Sequence, residues 1–146
     1  MDWDQFTQQG MAVIASAKAE VRRLGDSVLT SEHILLGLLR RRNSVAVRLI
    51  QETSVTREEL REAIEARLKP GTPDPSGNVK LSGSGKQILA LAADEARQVG
   101  DEFIGSEHLL LALAREQRVP AGQVLAEKGL TLDRLRNGLR EVLAIA

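Results

Sequence analysis

The feature that most constrains this 146-residue chain is an internal duplication. A shift of 75 residues aligns positions 6–68 with 81–143 without a gap, and 20 of the 63 aligned residues are identical. The clearest matching segments are TSEHILLGLL at 30–39 and GSEHLLLALA at 105–114. We therefore expect two copies of one supersecondary unit, repeat 1 (6–68) and repeat 2 (81–143), within a single domain over 1–146.

Each repeat is predicted to contain four short helices, because apolar residues recur at helical spacing between capping residues. The predicted helices of repeat 1 run over 7–24 and 34–39 and begin near 44 and 56, and those of repeat 2 run over 82–99, 106–115, 120–128 and 131–143. Ser31 and Ser106 are predicted as the N-caps of the leucine-rich helices. Eight short helices of low individual stability need one another's apolar faces. The sequence therefore predicts an all-α fold with pseudo-twofold symmetry.

The segment between the repeats is predicted to lack regular structure. Residues 69–80, KPGTPDPSGNVK, contain three of the four prolines and two glycines. Such a composition resists helix and sheet and is typical of an extended linker or a mobile loop.

Composition excludes several classes of function. Lys and Arg number 20 and Asp and Glu also number 20, so the net charge gives no support for a nucleic-acid partner. Cysteine is absent, which excludes disulfides and thiol chemistry. No apolar run reaches the length of a membrane span, and the acidic start MDWDQF does not resemble a signal peptide. We expect a cytoplasmic protein without a membrane partner.

Three motifs suggest chemistry, but a structural interpretation explains each better. The fragment SGSGK at 82–86 lacks the first glycine and the Ser/Thr of a phosphate-binding loop, so helix entry is favoured over nucleotide binding. His33 and His108 each follow a Glu at a helix start, where packing or capping is favoured over a metal site or acid–base catalysis. The run Arg40–Arg42 ends a predicted helix, where cations complement the helix dipole. We expect no enzyme activity, no metal and no cofactor.

The repeated Glu32 and Glu107 allow two interpretations. A carboxylate at a helix N-terminus is stabilised by the dipole by about 0.3–1 kcal/mol, which alone could explain both residues. A fixed carboxylate is also suited to binding a guanidinium group in bidentate fashion.

The first helix of each repeat has an unusual first turn. Gly10 and Gly85 stand three residues after the predicted caps Thr7 and Ser82, where a better helix former would be more stable by up to about 1 kcal/mol. The glycines would let an anion approach the amide groups at a positive helix end, or let two helices pack closely. The sequence leaves these alternatives open.

These motifs together resemble the Clp N-terminal domain, the double Clp repeat that precedes the ATPase modules of ClpA- and ClpC-type unfoldases. The resemblance rests on Phe6-Thr7, on the turn Leu24-Gly25-Asp26, on Ser31 to Gly37, and on their counterparts in repeat 2. It extends from about residue 4 to 144 and includes the linker.

The resemblance implies a non-catalytic, protein-binding module of a Clp-type protease or chaperone system. Its partners would be Clp ATPase or protease components and substrate or adaptor proteins. ClpC-type members also read arginine phosphorylation. By matching position, the family's phosphoarginine sites would use Glu32 with Thr7, and Glu107 with Ser82.

Two alternatives remain for the role of the chain. One is a structural accessory that docks on a Clp protease core without binding substrate. The other is the N-terminal domain of a full unfoldase. In that case the ATPase modules would lie outside these 146 residues, which contain no Walker motif. We expect a free-standing protein.

Overall fold

The helices of the protein follow the duplication closely. A computed structural model describes residues 2–145. Its elements are α1 Gln8–Arg23, β1 Val28–Leu29, α2 Ser31–Arg40, α3 Val45–Gln51, α4 Arg57–Glu65, β2 Lys80–Leu81, α5 Gly83–Gln98, α6 Ser106–Arg115, α7 Pro120–Glu127 and α8 Leu132–Ile145. Each helix of the second set begins 75 residues after its counterpart in the first. The predicted all-α fold of two four-helix repeats is confirmed, whereas the division of the chain at 69–80 stays a prediction. No helix among the described residues is long and apolar enough to cross a membrane.

Hydroxyl side chains begin four of the helices. The side-chain oxygens of Thr7, Ser44, Thr56 and Ser82 each accept a hydrogen bond from the backbone N–H three residues later. These bonds satisfy amide groups that the first turn of a helix leaves without a partner. At the other end of α1, Gly25 has a φ of 71°, the left-handed conformation in which a glycine commonly ends a helix.

The prediction that Ser31 and Ser106 cap α2 and α6 is wrong. Both serines are the first helical residues, and the N-caps are Thr30 and Gly105, which have extended backbones. The cause is the histidine three residues later: His33 accepts the backbone N–H of Thr30 through Nδ1. A side chain that reaches back to the cap in this way moves the helix start one residue earlier.

The core lies around α2 and α6, which contact each other. Eight of the ten residues in each of these helices are buried. Helices from the opposite repeat cover them, since α3 packs on α6 and α7 packs on α2. The six leucines that occupy matching positions in these two helices are at most 1% exposed: Leu35, Leu36, Leu38, Leu110, Leu111 and Leu113.

Two short parallel pairings, which were not predicted, join the repeats. Strand β1 pairs with β2, and an equivalent bridge connects Phe6 with Ile104. Each pairing links the segment before the first helix of one repeat to the segment before the leucine-rich helix of the other. Both pairings therefore set how the two repeats dock.

The segment 69–79 contains no helix or strand, and Lys80 already belongs to β2. A turn over Asp74 to Gly77 is its main internal structure. Arg22 holds that turn against α1 by donating from Nε to the Gly77 carbonyl oxygen at 3.1 Å.

We predict that Gly37→Ala destabilises the protein, because Gly37 lies against the backbone of α1. A Cβ at Gly37 would lie 2.5 Å from the Ala17 nitrogen and 2.7 Å from the Val13 carbonyl oxygen. Overpacking of this kind costs about 1–3 kcal/mol. Gly83→Ala is the matched control, because a Cβ there meets no atom within 4 Å. Urea unfolding should show a lower free energy of unfolding for Gly37→Ala only. Equal stability of both variants would contradict the close packing of α1 on α2.

We also predict that backbone amides of 69–73 exchange with solvent faster than those of α2 by about 10³-fold or more. The physical reason is that the segment 69–73 donates no backbone hydrogen bond in the structure, whereas the helix is closed by internal bonds and buried. Hydrogen–deuterium exchange with peptide-level readout measures this difference. The control is the amide of Lys80, which donates to the Ser27 carbonyl oxygen at 2.8 Å and should be protected. Slow exchange throughout 69–73 would contradict the prediction.

Candidate binding sites between the repeats

Helices α1 and α2 run antiparallel, which separates the residues that the sequence analysis paired. Gly37, late in α2, packs on Val13 and Ala17 in the first half of α1. His33, early in α2, lies within the electrostatic influence of Glu20, near the end of α1. Because the 16-residue α1 is about 24 Å long, Thr7 and Glu32 lie at opposite ends of this helix pair.

The first turn of α2 instead meets the first turn of α5, from the other repeat. Ser31 donates its backbone N–H to Oγ of Ser84 at 3.2 Å. Ser82 donates its backbone N–H to the Leu29 carbonyl oxygen at 3.0 Å. The structure therefore places the half-buried Glu32 beside the capped end of α5, and we name this place the Glu32–Ser82 site.

The first turn of α6 meets the first turn of α1 in the equivalent way. Thr7 donates its backbone N–H to the Ile104 carbonyl oxygen at 2.9 Å. Ser106 donates from Oγ to the side-chain oxygen of Gln9 at 3.2 Å. Glu107 follows Ser106 directly and is half-buried. We name this place the Glu107–Thr7 site.

The pairing of Glu32 with Thr7 and of Glu107 with Ser82 is therefore wrong. The structure brings together the same four residues in the opposite combination, with one partner from each repeat. The physical reason is the antiparallel packing of the first two helices of a repeat, which directs the N-terminus of α1 or α5 toward the other repeat. A resemblance based on positions along the chain does not show which residues of the two repeats lie together in the fold.

The two carboxylates have different immediate surroundings. Glu32 accepts a hydrogen bond from the Ser31 hydroxyl at 2.5 Å. Glu107 folds back over Gly105, where an added Cβ would collide with its Oε1. The residue before each serine, Thr30 or Gly105, therefore shapes the position of the neighbouring carboxylate.

Gly10 and Gly85 serve close packing. A Cβ at Gly85 would lie 2.7 Å from the Leu29 carbonyl oxygen, and one at Gly10 would collide with the Ile104 carbonyl oxygen. Their amide groups are already bound by the Ser82 and Thr7 side chains. Any anion at these helix ends would instead meet the amides of the first helical residues, Gln8 and Gly83, both of which are exposed.

The two histidines act as caps, as one of the two favoured interpretations predicted. His108 accepts the Gly105 N–H through Nδ1 at 2.9 Å, and its Nε2 lies 3.0 Å from Asp101. His33 makes the equivalent bond to Thr30. Both histidines are 2% exposed. Burial lowers the pKa of His33, against the nearby carboxylates of Asp26, Glu32 and Glu20, which raise it.

Two buried carboxylates that the sequence analysis did not single out hold the helices in place. Glu95 is 2% exposed and binds Arg136 through both oxygens, at 3.0 and 2.7 Å, and Arg115 at 3.0 Å. Glu20 is 1% exposed and binds Arg23 and Arg61. A buried charge is tolerated only when it is paired and hydrogen-bonded. Identity of Glu and Arg at matching positions in both repeats was the available signal.

Among residues 2–145, no group of three or more His, Cys, Asp or Glu side chains could hold a metal ion.

Comparisons with known proteins agree on one family. The sequence profile of the Clp repeat N-terminal domain matches residues 5–128. The chain is 32% identical over 143 residues to the "Negative regulator of genetic competence ClpC/MecB" of Bacillus subtilis, covering 98% of this chain and 18% of that protein. It is also 32% identical over 143 residues to the chaperone ClpB of Oceanobacillus iheyensis, with the same coverage of 98% and 18%. The chain thus spans less than a fifth of the length of these two relatives.

Solved structures show the same fold. The N-terminal domain of ClpD from Arabidopsis thaliana matches with a TM-score of 0.74 at 23% identity, covering 97% of this chain and 99% of that one. The Hsp104 N-terminal domain from Candida albicans matches with a TM-score of 0.76 at 19% identity, covering 94% and 91%. At such identities the likeness establishes the fold alone.

We predict that the free energy of unfolding falls as the pH is lowered through about 6.5, the ordinary pKa of histidine. The folded pKa of His33 is below that value, so the unfolded chain takes up this proton first and acid favours unfolding. Protonation also removes the acceptor for the Thr30 amide.

His33→Gln is the diagnostic variant, because glutamine can reach back to the cap but does not titrate. Chemical unfolding between about pH 7.5 and 5.5 should show a smaller change in stability for His33→Gln than for the wild type. Parallel curves for the two proteins would contradict the capping role.

Proposed function

Because the chain belongs to the Clp N-terminal domain family, we propose that it is a non-catalytic, protein-binding module of a Clp-type ATP-dependent protease or chaperone system. In this proposal it works in the cytoplasm with Clp ATPase or protease components and recognises substrate or adaptor proteins. The chain matches 18% of the length of each of these two relatives, so the proposal takes only a binding role from them.

We further propose phosphoarginine-marked proteins as ligands. The observation that carries this proposal is the repeated placement of a carboxylate beside a helix N-terminus from the other repeat. A phosphoarginine side chain carries a guanidinium part and a phosphate part next to each other. Glu32 or Glu107 would bind the guanidinium, and the first-turn amides of α5 or α1 would bind the phosphate.

The surroundings of both sites support this assignment. The carboxylates are half-buried, which strengthens a charge-assisted hydrogen bond relative to one at a fully exposed position. The helix starts are exposed at Gln8 and Gly83, and space around Gly83 is open to at least 4 Å. A ligand group the size of a phosphate could therefore approach the amides of α5 without displacing the core.

We predict that Glu32→Gln and Glu107→Gln each weaken binding of a phosphoarginine peptide at the altered site by about one to two decades. The substitution keeps the shape but removes the charge of a hydrogen bond worth about 1.5–3 kcal/mol. Protein stability should change by less than about 1 kcal/mol, the size of the dipole contribution. Calorimetric titration with a phosphoarginine peptide and the matched arginine peptide measures the effect.

Because each proposed site combines residues of both repeats, double variants provide a control that depends on the geometry. Thr7→Ala and Ser82→Ala each remove a cap, so each alone should weaken binding at one site. In double variants, Glu32→Gln should couple to Ser82→Ala and be additive with Thr7→Ala, because coupling requires a shared site. Additivity in all combinations would contradict the assigned sites. Absence of phosphopeptide binding by the wild type would favour a structural accessory role that does not involve this ligand.

A further inference from the structure

A second surface, at the opposite end of α2 from Glu32, is built from arginines of repeat 1. Arg40, the last residue of α2, and Arg42, just beyond it, face Arg57 and Arg61 of α4 across a cavity of about 260 Å³. Glu58 and Leu39 complete its lining. We name these six residues the arginine pocket.

Two of the four guanidinium groups have structural partners. Arg57 donates to the Leu39 carbonyl oxygen at 2.8 Å, and Arg61 donates to the buried Glu20 at 3.3 Å. Arg40 and Arg42 are exposed, and their guanidinium groups make no hydrogen bond or ion pair with any residue of 2–145. The carboxylates of Glu20 and Glu58 offset two of the four charges, so two remain.

The equivalent place in repeat 2 is neutralised by carboxylates of its own repeat. Arg115, the counterpart of Arg40, is bound by Asp94 and Glu95. In repeat 1 the position equivalent to Asp94 is Ala19, which cannot bind Arg40.

The loop that follows α2 also differs in charge from the loop that follows α6. Glu116 of repeat 2 binds Arg118 within its own loop, at 2.7 Å, whereas repeat 1 has Arg41 and Asn43 at the aligned positions and so lacks the carboxylate. Arg57 and Arg42 have the neutral counterparts Leu132 and Gln117. One repeat thus neutralises this region internally, while the other concentrates unpaired cations there.

Stabilisation of the α2 terminus does not account for the pocket. The helix dipole favours a cation at Arg40, in the last turn, but Arg42 lies beyond the helix. The Leu39 carbonyl oxygen is already bound by Arg57. Like charges held close together lower stability, so the arrangement has no benefit for the isolated fold.

We propose that the arginine pocket binds an acidic peptide segment of a partner protein. Guanidinium groups bind carboxylates in bidentate fashion, and two free groups side by side fit two neighbouring Asp or Glu side chains. The pocket is small, with a volume of about 260 Å³. A nucleic-acid partner would need an extended basic track, and the whole chain has equal numbers of basic and acidic residues.

The test is fluorescence anisotropy with a labelled peptide of alternating Asp and Glu. The variant Arg40→Ala/Arg42→Ala should bind the peptide about tenfold or more weakly than the wild type, because each lost contact is charge-assisted. Arg97→Ala/Arg140→Ala is the matched control, since both residues are exposed and the net charge changes equally. This control should bind like the wild type, and thermal unfolding should show that both double variants fold.

A separate titration distinguishes this surface from the proposed function. Phosphoarginine-peptide binding should be the same for the wild type and for Arg40→Ala/Arg42→Ala. The proposal is overturned if the wild type does not bind the acidic peptide, or if both double variants weaken it equally. Tighter binding of a single-stranded oligonucleotide than of the peptide, or loss of phosphoarginine binding with the pocket variant, would overturn it as well.

Discussion

The burial of α2 and α6 is the constraint on which the other features depend. Each helix is apolar on nearly every side, so a single repeat cannot cover its own leucine-rich helix. The solution is reciprocal: α6 lies on α2, and each is also covered by the third helix of the other repeat. Burial of aliphatic side chains at about 25 cal/mol per Å² is the main force that holds such an aromatic-poor core together.

This reciprocal packing also places the candidate sites. To bring α2 and α6 together, the first helix of each repeat must point its N-terminus at the leucine-rich helix of the other. The backbone approach there is too close for a side chain, which explains a glycine at the third residue of α1 and at the corresponding place in α5. The same contact sets a carboxylate and a positive helix end side by side. Packing and the geometry of the candidate sites are thus consequences of one arrangement.

Much of the fold could be predicted because the duplication gave two independent sequences for each helix of the repeat unit. The start of every helix except α2 was predicted correctly or within about one residue. For α2 the signal was ambiguous, since Thr30 and Ser31 are both good capping residues and only the His33 contact decides between them. The two-residue strands were missed because such short pairings carry no periodic pattern.

The candidate sites were harder to predict for a different reason. Glu32, Glu107, Thr7 and Ser82 were identified from local patterns, but their grouping depends on contacts between segments about fifty to a hundred residues apart. Local helix chemistry does not encode the direction in which two helices cross. The arginine partners of the buried Glu20 and Glu95 were missed for the same reason, because an arginine from another helix supplies each counter-charge.

The sharing of each site between the repeats has an evolutionary consequence. A single ancestral unit could have formed a complete site only by associating with a second copy, and that symmetric dimer would have held two identical sites. Fusion of the copies into one chain freed each half to change alone. The first turn of α1 now reads Gln8-Gln9, whereas that of α5 reads Gly83-Ser84. Two pockets that once had to be the same can therefore differ in affinity within one molecule.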